Sequence, residues 1–278
     1  MTPDASPFRP GGQYFAPLVG VVVIALVAGF ASYRFFGGEE PVAEPEPVTG
    51  EAVAPPPPRP APPPAAEPAE EIVLPALDES DTLVRDLVEA LTSHPAFAAW
   101  LIPDELVRTF VFVIENVAEG HNPAQRLAPL RPTQRFSTDE TGGGLTVDPA
   151  SFNRYNIHAE IVASIDPAGA AALYRTLRPL IDEAYAELGY PDGGFDRTLA
   201  RAIAMILDTP VLEREARLVE RTAFVEYADP ALEDLQPVQK QLMAMGPRNV
   251  RAVQASVLEI AREIGLDTTR LPVPEVVR

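Results

Sequence analysis

Asp192 and Asp196 sit four residues apart on the glycine-rich stretch Leu188-Gly-Tyr-Pro-Asp-Gly-Gly-Phe-Asp196, with Tyr190 beside them. Two carboxylates on one turn can offer an acid and a base to a cleft, or ligands to a cation. The same residues also make a helix–turn–helix joint. Gly189 closes one helix, Pro-Asp-Gly-Gly turns the chain, and Asp192 or Asp196 caps the next helix. Because this second reading gives every residue a role, it is preferred.

A second group is basic: Arg126, Arg131, Arg154, Arg175 and Arg178, interleaved with aromatic residues. In so acidic a chain these pair internally or form an anion or partner site. Arg131, Arg154, Arg175 and Arg178 are the candidates for the latter. The three histidines, His94, His121 and His158, fall in different elements. His158-Ala159-Glu160 echoes the HxE of zinc deaminases, but their PCxxC partner needs cysteine and the chain has none. GxSxG, Walker A, GxGxxG, HExxH, SxxK and EF-hand patterns are all missing. No metal and no cofactor is expected.

Composition narrows the partners. The 278 residues carry a net charge of −18, with an isoelectric point near 4.5. Residues 1–77 hold nine Asp/Glu against three Arg, a net of −6 that leaves −12 for residues 78–278. Such a surface repels phosphate backbones, so nucleic acid is not an expected partner. The lack of cysteine also removes disulfides, thiolate metal sites and thiol nucleophiles.

The chain divides by composition. After a short tail (1–13), residues 14–36 run YFAPLVGVVVIALVAGFASYRFF, with no charge between Arg9 and Arg34. A helix of that length crosses a hydrocarbon core of roughly 30 Å at about 1.5 Å per residue. Run length favours an uncleaved signal anchor over a cleaved signal peptide. Ala16/Gly20 and Ala25/Gly29 have small-xxx-small spacing, an option for dimerisation through the membrane helix. Arg9 and Arg34 flank the span evenly, so charge does not set its direction. Residues 37–75 follow as a Pro/Glu-rich linker containing Pro55–Pro58 and Pro62–Pro64. It cannot bury apolar area against its ordering cost and is expected to be disordered, a spacer reaching at most on the order of 120 Å. An acidic, Pro-rich stalk after a first membrane helix suits export, which puts the domain on the periplasmic side of an inner membrane.

Residues 76–266 read as a mainly α globular domain with a small β hairpin or sheet, and 267–278 as a frayed tail. Asp78 or Asp81 is expected to cap a first helix, and Pro103 to start a helix apolar nearly all round. Asp-Pro-Ala recurs at Asp148, Asp166 and Asp229, in each case an N-cap followed by proline at N1. Residues 134–137 and 145–147 are expected to form a hairpin or loop across the glycines, able to pair with Arg217–Tyr227. The last helix follows Gly246-Pro247, with Val250, Val253, Val257, Ile260 and Ile264 facing the core.

The ordered phrases LDESDTLVRDLV, LRPT…F, DPASFNRY, LYRTLRPLIDEAYAELGYPDGGF and YADPALEDLQPVQKQLMAMGPRN resemble a bacterial family catalogued as domain of unknown function 3014. The resemblance spans about Leu74 to Ile264. It implies an amino-terminal membrane helix and a Pro-rich spacer, and brings no activity or catalytic residue.

Three functions compete. A non-enzymatic, membrane-anchored envelope protein that binds a protein partner is preferred. The alternative is a carboxylate-dependent hydrolase or transferase acting on an envelope substrate through Asp192 and Asp196. A small-ligand sensor is the third, and it requires a pocket inside the helical core.

Overall fold

The computed structural model describes residues 72–101, 104–123, 127, 130–140, 142–190, 194–222 and 224–278. The expected membrane helix at 14–36, nearly all of the linker, Pro103, Arg126 and Asp192 lie outside them. Among the described residues, no helix is long and apolar enough to cross a membrane.

Eight α-helices are described: α1 Asp81–Glu89, α2 Leu106–Ala118, α3 Asn156–Ala163, α4 Pro167–Glu187, α5 Phe195–Leu207, α6 Pro230–Glu233, α7 Pro237–Met243 and α8 Pro247–Ile264. Helix α8 packs on α3, α4 and α5, while α2 packs on α4 and α5. Their apolar spacing dictates this arrangement. In α8, Val250, Val253, Val257 and Ile260 are all buried, so one stripe meets three neighbours. In α2, Leu106, Val107, Phe110, Val111, Val113, Ile114 and Val117 are buried around most of the circumference, as expected of a central helix.

The Asp-Pro-Ala signals act as read. Asp148 accepts from the Ala150 amide at 2.8 Å, Asp166 from Gly169 at 2.9 Å and Asp229 from Ala231 at 3.1 Å. The first opens a 3-10 helix, Pro149–Tyr155, that runs directly into α3. Asp81 has a different role from the one expected. Ser80 occupies the N-cap of α1, and the Asp81 carboxylate instead reaches the amides of Glu105 and Leu106 at 2.7 and 2.8 Å. It therefore caps α2 from another helix and supports Glu105, which sits in the left-handed region at φ 56°.

Among the described residues the β structure consists of three short pairs. β1 (Thr138–Asp139) is antiparallel to β2 (Thr146–Val147), with Thr138 opposite Val147. β3 (Val211–Leu212) is parallel to β6 (Val276–Val277), and β4 (Leu218–Glu220) is antiparallel to β5 (Val225–Tyr227). A single bridge, Thr146 to Arg217, joins the first hairpin to the β4–β5 hairpin, a weaker version of the expected joint sheet. The β3–β6 pair corrects the reading of 267–278 as frayed. The Val211 and Glu213 amides donate to the Glu275 and Val277 carbonyls at 2.8 and 2.9 Å, and Arg278 pairs with Glu213.

Candidate functional site

Helix α4 ends at Glu187, and Gly189 takes φ 100° to reverse the chain, the glycine C-cap that the sequence implied. Tyr190 then lays its ring on Tyr185, with centroids 4.5 Å apart and planes within 8°. Its hydroxyl donates to Glu115 Oε1 at 2.9 Å, and this hydrogen bond to a carboxylate raises the phenol's pKa. Glu115 comes from α2; its other oxygen, Oε2, is buried with no hydrogen-bond partner among the described residues. Arg201 of α5 lies 3.2 Å from Glu119 and 4.0 Å from Glu115. Tyr190 therefore meets Glu115 rather than forming a set with Asp196. The sequence signal for Glu115 is that it is the one carboxylate within the largely apolar helix α2.

Asp196 lies in the first turn of α5 and does not cap it, since Gly194 holds that position at φ 96°. Its carboxylate accepts from Arg178 Nη1 at 2.5 Å and from the Tyr174 hydroxyl in a shorter bond. Arg178 Nε also reaches both oxygens of Asp182 at 2.9 Å. Partial burial disfavours charge on Asp196, but the bonds from Arg178 and Tyr174 outweigh it and hold its pKa below the ordinary value. A general acid requires the opposite shift. Asp196 ties α5 to α4 through these two bonds.

The described arginines of the set do not share a partner. Arg178 is engaged as above, and Arg175 donates to the Glu263 carbonyl at 2.6 Å. Arg131 is exposed. Arg154 is unlike the others: it is 8% exposed and has no carboxylate partner among the described residues. Its Nε donates to the Ser151 carbonyl at 2.7 Å, while Nη2 is buried without a partner among the described residues. The guanidinium stands over the Phe136 and Tyr155 rings, 5.4 and 5.1 Å from their centroids. Burial pushes its pKa down from the ordinary arginine value.

One turn further along, His158 is 6% exposed. Its Nε2 lies 2.9 Å from the Leu130 carbonyl, which can only accept, so Nε2 carries a hydrogen and Nδ1 is left buried and unpartnered among the described residues. Glu160, the other half of the HxE echo, is exposed and faces Arg248 at 3.6 Å. Among the described residues, no group of three His, Asp or Glu side chains is arranged to hold a metal ion.

Residues 106–261 match the model of a family described as "Protein of unknown function (DUF3014)". The chain belongs to the DUF3014 family. The match starts at the first residue of α2 and ends in the last turn of α8, narrower than the 74–264 span of the sequence resemblance. In this DUF3014 chain it therefore takes in the main helical packing, the Tyr190 turn and the Arg154–His158 cluster. No curated protein and no solved structure is significantly similar to it.

Burial holds the His158 pKa below 6.5, against a smaller upward pull from the Leu130 hydrogen bond. The unfolded chain then binds the extra proton first, so stability is full above pH 6.5 and falls as pH drops through the folded value. Urea midpoints measured from pH 7.5 to 5 are expected to decline, and His158→Gln to flatten that part of the profile. Equal slopes in the two proteins would remove His158 as the cause.

Proposed function

We propose that this DUF3014 protein is a non-enzymatic, single-pass membrane protein of the bacterial envelope whose helical domain binds a protein partner. Residues 14–36 would form the anchor, and residues 37–75 would hold the domain off the inner membrane on the periplasmic side. One observation carries the partner reading: Leu188 and Tyr190 stand 44% and 42% exposed on the α4–α5 turn, with Tyr190 braced by Tyr185 and Glu115. Exposed aromatic side chains held in one conformation lose little entropy on binding and recur among interface hot spots. The commitment of Asp196 to Arg178 and Tyr174 weighs against the hydrolase alternative.

The test is crosslinking and gentle co-purification of the full chain from native membranes. Leu188→Ser/Tyr190→Ala is expected to lose a specific partner that wild type retains, with unchanged abundance. Recovery of the same partner by both proteins would refute this face as the contact. Topology reporters fused after Phe36 and Arg278 test the anchor, and cytoplasmic signals from both would overturn the exported placement.

A further inference from the structure

Arg154 is held in place before any ligand arrives. Asp148 and Pro149 start the 3-10 helix that carries it, and Ser151 is buried with its hydroxyl donating to the Ser137 carbonyl at 2.9 Å and accepting the Ser137 amide at 2.8 Å. The Ser151 carbonyl in turn fixes Arg154 Nε, and two aromatic rings flank the guanidinium. Nη2 is the part left open among the described residues. Cation–π contacts can offset charge burial, but they give no acceptor to the N–H groups of Nη2. A planar fork with its side nitrogen already used offers end-on, paired donors, the geometry that suits a carboxylate or phosphate.

His158 adds a second open group of the opposite kind. With its Nε2 hydrogen given to Leu130, neutral His158 presents Nδ1 as a buried acceptor. Both residues lie against one ring: Arg154 Cζ is 5.1 Å and the His158 centroid 5.8 Å from the Tyr155 centroid. An occupant that satisfies both brings anionic oxygens and a hydrogen-bond donor, and a hydroxyl is the donor that adds no positive charge beside the guanidinium.

We propose that Arg154 and His158 form a binding site for a small oxyanion bearing a hydroxyl, the chemistry shared by 2-hydroxycarboxylates and hydrogen phosphate. The site is independent of the partner face at Tyr190.

The full chain is titrated with glycolate, inorganic phosphate and, as a control without a hydroxyl, acetate, at constant ionic strength. Calorimetry gives the affinity. Emission from Trp100, whose ring is 5.6 Å from His158, gives a local signal. Saturable one-site binding of glycolate or phosphate is expected, and which of the two binds tighter identifies the class. Arg154→Met is expected to weaken it by roughly tenfold or more, the worth of a charged hydrogen bond, with Arg175→Met unchanged. Arg154→Lys, which keeps the charge without the fork, serves as the second variant and loses affinity likewise. Glycolate should bind more tightly than acetate, and His158→Phe should abolish that difference. The proposal is overturned if neither anion saturates, if both Arg154 variants bind as wild type, or if acetate matches glycolate.

Discussion

Phe195→Ala is expected to cost about 3–5 kcal/mol of folding free energy, the range for truncating a fully buried phenylalanine. Phe195 is 0% exposed and opens α5 immediately after the Gly194 turn. Its ring meets Phe110 of α2 at 5.2 Å, Tyr185 of α4 at 5.3 Å and Tyr174 of α4 at 6.5 Å, the first two edge-on. A methyl group in its place touches none of the three, and helices fixed by other contacts cannot close fully on the space. The loss is a large fraction of the roughly 5–15 kcal/mol that holds a domain together. Urea denaturation followed by emission of Trp100, the only tryptophan and itself buried, measures it. Phe195 also supports the ring under Tyr190, so Phe195→Ala is expected to weaken partner capture as well. Tyr190→Ala alone removes a half-exposed ring and should barely move the midpoint, which separates loss of the contact from loss of its support. A midpoint within 1 M urea of wild type for Phe195→Ala would show that the aromatic cluster repacks, given slopes of about 1–3 kcal/mol/M for small domains.

What the sequence made legible was local. An aspartate followed by proline satisfies the first amides of a helix whatever surrounds it, and Asp148, Asp166 and Asp229 all do so. The apolar spacing of Pro247–Ile264 likewise fixed which face turns inward. Readings failed where a side chain answers to a distant partner. Asp81 has the right type and place to cap its own helix, yet it caps one 25 residues away. Asp196 looked like half of a carboxylate pair because Arg178, 18 residues earlier, is invisible to local spacing. The terminal strand pairs with Val211, 65 residues back, and two valines among prolines cannot announce that. Arg154 was grouped with other arginines by charge. Only tertiary burial distinguishes it, leaving one guanidinium without a carboxylate among the described residues while Arg178 has two.

Gly246→Ala carries the other large penalty, and its origin can be split. Gly246 joins α7 to α8 at φ 80° and ψ 160°, a backbone conformation essentially restricted to glycine. A Cβ there would stand 2.5 Å from Cγ and 2.7 Å from Cβ of Phe152. Strain of about 1–3 kcal/mol from the dihedral adds to about 1–3 kcal/mol of overpacking, so a loss of about 2–6 kcal/mol is expected. Phe152 cannot simply swing away, because its backbone carbonyl accepts from Asn249 Nδ2 at 3.2 Å, and Asn249 is buried in the first turn of α8. A double-mutant cycle with Phe152→Ala separates the two terms. If the clash dominates, Gly246→Ala costs little more than the dihedral strain once the ring is gone; if strain dominates, its cost is the same in both backgrounds. Phe152 also lies two residues before Arg154 on the same 3-10 helix. Moving it displaces the Ser151 carbonyl that holds the guanidinium, so Gly246→Ala is expected to weaken glycolate or phosphate binding at urea-free, fully folded conditions. Retained affinity in a folded Gly246→Ala protein would mean that Ser151 and Ser137 position Arg154 without help from the α7–α8 turn.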